Sequence, residues 1–456
     1  MFMSRFEDFR KEYGSFVFRD YSIEKEDGVY KIYLYYSIPR LREFKTRWEF
    51  PAGTRDIAVN DPILKELVFN LGMVEAISYY KCVCPKVVEV ECGSLSLNQI
   101  SWWRKLFYNG LGEFMYRNGI DVTMDELLTV RCIDAMTGIE ANLDDKTAPI
   151  HDTASYNGCL VPVGGGKDSV VSLELLSDED ITTYSINGNE TTKNVIDICK
   201  NKKADYRVKR ILDKGILEMN ELGFLNGHIP FSAVVAWSTV ITAYLTGIKY
   251  IALSNENSAN ESTVRDSFVN HQYSKSYEFE EDFDEYLKSV TDSDIHYFSL
   301  LRPLTEIQIA ALFSKHKAYH KAFRSCNAGS KQGIWCCNCP KCLFVYIILS
   351  PFLSQEELTE IFGEKLLDKE SLDMDFRELM GIDENKPFEC VGTRREVQTC
   401  TRYFRKQGGV SLLTDRYADI IDKTGEELNS LLSEWNDENH VPEQFVNVVA
   451  KAIKEL

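Results

Sequence analysis

The chain has 456 residues, of which 44% are apolar, so it is long enough for two or three domains with an ordinary globular core. Its formal net charge of −18 argues against a large nucleic-acid footprint, because neutralising phosphates takes clustered Lys and Arg. No apolar run follows the mixed charges of the first residues, so no secretory signal is expected, and the thirteen cysteines read as reduced thiols plus a metal site in a cytoplasmic protein.

In chain order, period-2 alternation from about Phe16 to Trp48 predicts a small antiparallel sheet. From Asp61 to Tyr116 the spacing becomes helical. Residues 1–150 are therefore expected to form an α+β domain that ends in the polar stretch 142–157. From Gly158 the chain alternates, with strands expected over 159–163, 181–186, 206–212, 250–253 and 296–300 and helices over 168–176, 191–201 and 232–245. That rhythm predicts an α/β domain over 151–350 whose parallel sheet carries ligands at the carboxyl ends of its strands. Residues 228–248 are uncharged and reach the length of a membrane span, about 20 residues. They contain Pro230 and several Ser and Thr residues between predicted strands, so a buried helix is expected and no membrane partner. Residues 351–456 read as a helical region, with charged amphipathic helices at 356–365 and 425–435 as examples.

The most informative segment joins the apolar strand ending at Val163 to a helix through Gly164-Gly165-Gly166-Lys167-Asp168-Ser169. Three glycines let backbone approach a ligand, and the first helical turn offers free N–H donors and a positive dipole end. Lys167 adds a charge, Asp168 a carboxylate for Mg²⁺ and Ser169 a hydroxyl. A Walker A loop fails on spacing, since Val161 and Asp168 stand where its glycine and its Ser or Thr belong. The dinucleotide fingerprint fails because Ser169 occupies its third glycine position. What remains resembles the PP-loop of ATP pyrophosphatases, Ser-Gly-Gly-x-Asp-Ser, with Gly164 in place of the leading Ser. That resemblance implies ATP and a HUP-like parallel sheet. As an ordinary helix start, Asp168 or Ser169 would only cap the first turn.

Five cysteines fall within seventeen positions. Cys336, Cys339 and Cys342 follow a C-x2-C-x2-C spacing, and Cys326 can return as a fourth ligand. Four thiolates suit one structural Zn²⁺, leaving Cys337 pointing away. An iron–sulfur cluster uses the same ligands, free thiols are a third reading, and Cys339-Pro-Lys-Cys342 alone matches a redox pair. The arrangement also resembles the zinc knuckle of PP-loop enzymes that make a deazapurine precursor.

Eight segments together resemble one family. They are Asn109-Gly-Leu-Gly-Glu-Phe-Met-Tyr-Arg-Asn-Gly119, Leu160-Val-Pro-Val-Gly-Gly-Gly-Lys-Asp-Ser169, Asn226-Gly-His-Ile-Pro230, Ala252-Leu-Ser-Asn-Glu256, Val269-Asn-His-Gln-Tyr-Ser-Lys-Ser276, Arg302-Pro-Leu-Thr-Glu306, Cys339-Pro-Lys-Cys342 and Phe388-Glu-Cys-Val-Gly392. The family is the UDP-N-acetylmuramoyl-L-alanyl-L-glutamate epimerases of the MurL type. The resemblance implies inversion of the terminal L-Glu of UDP-MurNAc-L-Ala-L-Glu, with ATP and Mg²⁺ consumed through an acyl adenylate to AMP and diphosphate. Such a step makes chemical sense, because adenylation removes the carboxylate charge that would otherwise oppose loss of the α-proton.

Lys167, Asp168 and Ser169 are then the expected phosphate and magnesium residues, with Gly164, Gly165 and Gly166 as the cradle. Ser185, Ile186, Asn187, Ser254 and Asn255, at the ends of two further strands, are candidates for the nucleotide, or simply turn residues. His228, His271 and Glu113 are candidate bases, since histidine titrates near the working pH, although a lone histidine is often structural. Arg265, Lys275 and Arg302 are candidate anchors for substrate carboxylates or diphosphate, or surface charges. Rival readings are a PP-loop enzyme adenylating another small carboxylate or a nucleoside, a tRNA-modifying enzyme, and a non-catalytic nucleotide sensor. The oligomeric state is not written in the sequence.

Overall fold

A computed structural model describes residues 2–133, 149–264, 269–329 and 332–456. Arg265 and the first part of the polar stretch 142–157 lie outside these residues. The strands are β1 (Ser15–Glu26), β2 (Val29–Ile38), β3 (Arg42–Pro51), β4 (Val87–Val90), β5 (Thr129–Cys132), β6 (Cys159–Pro162), β7 (Ile181–Ile186), β8 (Lys202–Ile211), β9 (Tyr250–Leu253) and β10 (His296–Ser299). They form one sheet in the order β10-β9-β6-β7-β8-β3-β2-β1-β4-β5. β6 to β10 run parallel, as the alternating helices and strands predict, and β1 to β3 form the expected antiparallel meander. The two halves meet where β3 pairs antiparallel with β8 over only Arg47↔Ile211, Trp48↔Arg210 and Glu49↔Lys209.

The parallel half is doubly wound. β6 lies between β7, which follows it in the chain, and β9, which continues the sheet in the other direction, so the strand order reverses there. The carboxyl ends of β6 and β9 flank the crevice such a switch point opens. Both faces of this half are covered, so its strands alternate between two cores. Leu160 and Ile251 pack with the helix Phe231–Thr246, whereas Cys159, Val161 and Ala252 pack with the helices Lys167–Leu175, Glu306–Lys315 and Pro340–Leu349. Phe231–Thr246 is the uncharged segment of the sequence. Trp237, Val240 and Ile241 on it are fully buried, and among the described residues no helix is long and apolar enough to cross a membrane.

Some elements differ from expectation. β4 and β5 are four residues each, too short to leave a period-2 signature, and β4 lies within the stretch 61–116 whose dominant spacing is helical. The expected helix over 425–435 shrinks to Leu428–Leu432, because Gly425 turns at φ +75° against the Gln398 backbone. The C-terminal helices pack into the second core, with Phe376, Val397 and Phe445 fully buried there.

Candidate active site

β6 delivers the chain to the glycine loop. Gly165 needs its glycine, since it sits at φ +93° and a Cβ there would approach Thr191 Cγ2 to 2.9 Å. Gly164 is different: a Cβ would meet nothing within 4 Å, so packing inside the protein does not account for it. Gly166 ends the loop as the N-cap of Lys167–Leu175, with no side chain capping that helix. Around the loop the hydroxyls of Ser185, Thr191 and Ser325 are buried without a hydrogen-bond partner. Buried donors left unmade cost roughly 1–3 kcal/mol each, so three of them beside an uncapped helix start fit a bound anion such as a phosphate. Ser169 is turned inward, its hydroxyl donating to Gly166 O at 2.9 Å.

Lys167 is fully buried, and its ammonium bonds both Asp168 and Glu306. Burial works against that charge, but the two carboxylates outweigh it and hold the lysine above its ordinary range. Burial pushes Glu306 up despite the pull of Lys167, while Asp168 is held low against burial by Lys167 and then Lys341. With Glu306 pushed up to about 8, the trio carries no surplus charge near neutral pH, and a bound cation would displace the Glu306 proton to leave the two carboxylate donors that a hard ion such as Mg²⁺ takes. Glu306 was not singled out from sequence, although it closes one of the segments carrying the family resemblance.

The nucleotide candidates lie at strand ends, as expected for this topology. Asn187 adopts φ 51°, and its side chain is tied to the Arg210 backbone by an accepted bond at 2.9 Å and a donated one at 2.6 Å. Its backbone N–H is taken as well, by Val208 O at 2.9 Å, which leaves the Asn187 carbonyl and the unpaired Ser185 hydroxyl to offer a ligand. Ser254 pairs with Ser172 at 2.8 Å, and Asn255 donates to Ser299 at 3.0 Å.

The second cluster is assembled from distant segments. Glu113, on the short helix Gly112–Asn118, bonds Arg117 Nε at 2.5 Å. Its Oε2 faces Nδ1 of two histidines, bonding that of His271 and lying 3.8 Å from that of His228. The two imidazoles are neighbours, with ring centroids 4.3 Å apart. Lys81 fixes the His228 loop by donating to Asn226 Oδ1 at 2.9 Å and Gly227 O at 2.6 Å. On the far side Lys275 Nζ donates to the Cys390 sulfur at 3.2 Å, and the His271 imidazole interacts with the same thiol. Cys390 arrives on the segment after Lys386, where Phe388 stacks on Tyr116 with centroids 5.3 Å apart and lies under Arg117.

These contacts sort the protons. Burial opposes charge on Glu113, but His271, His228 and Arg117 outweigh it and keep the carboxyl below its usual range. Burial and the adjacent His271 lower His228 to about 4, so it is neutral near pH 7. His271 rises to about 9 because Cys390 and Glu113 more than offset its burial. Cys390 drops to about 6, with Lys275 and His271 prevailing over burial. The ligand atoms of Glu113, His228 and His271 also lie within 4.8 Å of one another. The charges of Lys275 and Lys81 bear on this group and disfavour a cation there, so a proton network is the arrangement the electrostatics support.

Of the expected anchors, Lys275 faces the cluster and its charge interacts with both Cys390 and Asp168, which puts the two clusters side by side. Arg302 is fully buried and internally engaged, donating to Glu256 O at 2.7 Å, Lys275 O at 2.5 Å and Glu280 Oε2 at 3.0 Å. It holds the Lys275 segment in place and has no route to a ligand. Cys390, which sequence reasoning left without a role, is the functional candidate that only the fold reveals.

The cysteine knuckle closes beside the loop. Cys326, Cys336, Cys339 and Cys342 present their sulfurs within 4.8 Å of one another, with Cys336 and Cys342 3.7 Å apart and Cys326 and Cys339 4.0 Å apart. A tetrahedron with Zn–S bonds of about 2.3 Å has edges of about 3.8 Å, so the four fit one metal ion. Backbone N–H groups of Gly329 and Cys336 point at Cys326 Sγ, at 3.1 and 3.4 Å. Cys337 faces away, its thiol donating to Phe362 O. Arg324 N donates to Gly165 O at 2.9 Å, linking the knuckle directly to the glycine loop.

Comparison with known proteins identifies the family. Residues 7–300 match the MurL N-terminal domain and residues 318–427 the MurL C-terminal domain. A protein of Xanthomonas oryzae pv. oryzae is 33% identical over 352 residues, covering 75% of this chain and 74% of its own. One of Salinispora tropica is 33% identical over 368 residues, or 78% of each chain, and one of Micromonospora sp. 33% over 336 residues, or 72% of each. All three are named UDP-N-acetyl-alpha-D-muramoyl-L-alanyl-L-glutamate epimerase. No solved structure matches. With both domains matched and relatives at this identity over most of its length, the chain belongs to the MurL family.

Proposed function

We propose that this protein inverts the terminal L-glutamate of UDP-MurNAc-L-Ala-L-Glu to the D-form, with ATP cleaved to AMP and diphosphate, as a cytoplasmic step toward peptidoglycan. The substrate follows the names of the relatives. The chemistry rests on one observation, that Asp168 of the glycine loop and Cys390 of the proton-sharing cluster both lie within electrostatic reach of the Lys275 ammonium. In this reading Gly164, Gly165, Gly166 and Ser169 hold phosphates, and Lys167 offsets charge on the departing diphosphate. Asp168 and Glu306 would hold Mg²⁺, which supplies further charge neutralisation there. The substrate carboxylate attacks the α-phosphate, and the resulting acyl adenylate acidifies the glutamate α-carbon. His228, His271 and Glu113 then handle the proton, and water releases the D-product. Cys326, Cys336, Cys339 and Cys342 hold a structural Zn²⁺ that supports the loop through Arg324 and Ser325.

The test is incubation of the purified protein with ATP, Mg²⁺ and UDP-MurNAc-L-Ala-L-Glu, followed by nucleotide analysis and chiral analysis of the glutamate. AMP, diphosphate and D-Glu should form together, and only with the dipeptide present. ADP and inorganic phosphate, or nucleotide cleavage without inversion, would overturn the reading.

A further inference from the structure

A two-base inversion through a planar intermediate uses two groups on opposite faces that differ by one proton, and a path that restores the difference after each turnover. The cluster around Glu113 contains these parts. Lys275 donates to the Cys390 sulfur at 3.2 Å and His271 interacts with the same thiol, so sulfur and imidazole are suited to sharing one proton. His228 stands beside His271 as a separate imidazole. Oε2 of Glu113 faces Nδ1 of both rings. Cys390 is half-buried, unlike the fully buried Cys400 on the next helix.

We propose that Cys390, backed by His271, is one proton-transferring group of the inversion, that His228 is the other, and that Glu113 carries the proton back between the two histidines. The inference rests on the epimerase reading and adds to it a catalytic thiol. In the L-to-D direction His228 takes the α-proton. An N–H bond forms, the C–H bond breaks, and its electron pair moves into the carbonyl of the acyl adenylate. The enolate then returns a pair to the α-carbon, which takes a proton from Cys390 on the opposite face, and His271 re-supplies the sulfur. His228 ends with one proton more and the Cys390–His271 pair with one fewer. Glu113 connects the two, so the cycle closes without an oxidant or reductant. Lys275, His271 and Lys341 favour the Cys390 thiolate, so the resting proton of the pair sits on His271 and reaches the α-carbon through the sulfur, while Glu389 is the acid nearby.

Three readouts on the whole enzyme test it: dipeptide-dependent pyrophosphate exchange into ATP, inversion, and uptake of deuterium at the glutamate α-carbon in heavy water. Cys390→Ala should slow inversion about 10²-fold or more and retain pyrophosphate exchange. Deuterium should then enter unreacted substrate from one epimer of the dipeptide and not from the other, with His228→Asn giving the opposite preference. Inversion by Cys390→Ala at the wild-type rate, loss of exchange along with inversion, or a thioester between glutamate and Cys390 would overturn the proposal. Absence of exchange in the wild-type protein would instead overturn the epimerase reading. Alkylation by iodoacetamide, followed on the Cys390 peptide, supplies a readout independent of turnover. Its half-rise should fall near pH 6 and move upward in His271→Gln and Lys275→Met. A half-rise at the ordinary thiol pKa of about 8.5 in the wild type would count against a shared proton.

Discussion

Two charged clusters lie side by side in this protein and are built in opposite ways. Lys167 and Asp168 are adjacent in sequence, presented by one turn at the end of β6, and only Glu306 comes from afar. Glu113 and His271 are 158 positions apart, and Lys275 and Cys390 another 115. The first can be formed by one strand-turn-helix unit, whereas the second exists only when the whole chain has folded. The contrast assigns the nucleotide step to a local motif and the substrate's proton to the seam between distant segments.

Breaking the local cluster should have the largest effect. Asp168→Asn is expected to lower both pyrophosphate exchange and inversion by about 10³-fold, as loss of a key electrostatic group does, while circular dichroism stays native. Next, Cys326→Ser should lose the metal, about one zinc per chain by elemental analysis, and lower stability by about 3 kcal/mol or more in denaturant titration. Full metal content in that variant would overturn the ligand set. Arg302→Met tests the burial of Arg302 directly. It leaves Glu280 unpaired in the core and should cost about 3–5 kcal/mol of stability. A raised KM at unchanged stability would restore the anchor role.

The assembled cluster answers to smaller changes. Glu113→Gln should slow inversion by about 10²-fold and spare pyrophosphate exchange, because it interrupts the proton path and not the adenylation. The pH profile of inversion sharpens this further. Below about 6 Cys390 is protonated, and above about 9 His271 has lost its proton, so the pair holds a single proton only between these values. Inversion should rise through the first and fall through the second, and pyrophosphate exchange should not share both limbs.

The same contrast explains what the sequence discloses. The glycine loop, the parallel strands and the cysteine spacing are short-range patterns, and Ile181–Ile186 and Tyr250–Leu253 form as the alternation predicts. His228, His271 and Glu113 were each weak candidates alone, and their convergence comes from packing that no local period encodes. Cys390 had no spacing partner within its own segment. Its role depends on Phe388 seating against Tyr116, a contact across most of the chain. Arg302 erred the other way, since an arginine before a proline looks free on paper but is spent on Glu280 and two carbonyls.

The three-residue pairing of β3 with β8 has a practical consequence for anyone dividing the chain. Each half of the sheet uses the other to cover an edge, and a cut between them would bare the backbone of β3 on one fragment and of β8 on the other. The cut bares three residues on each strand and divides the core that the helices Pro62–Tyr80 and Phe231–Thr246 share, so the separately expressed halves are expected to aggregate and to regain solubility only when produced together.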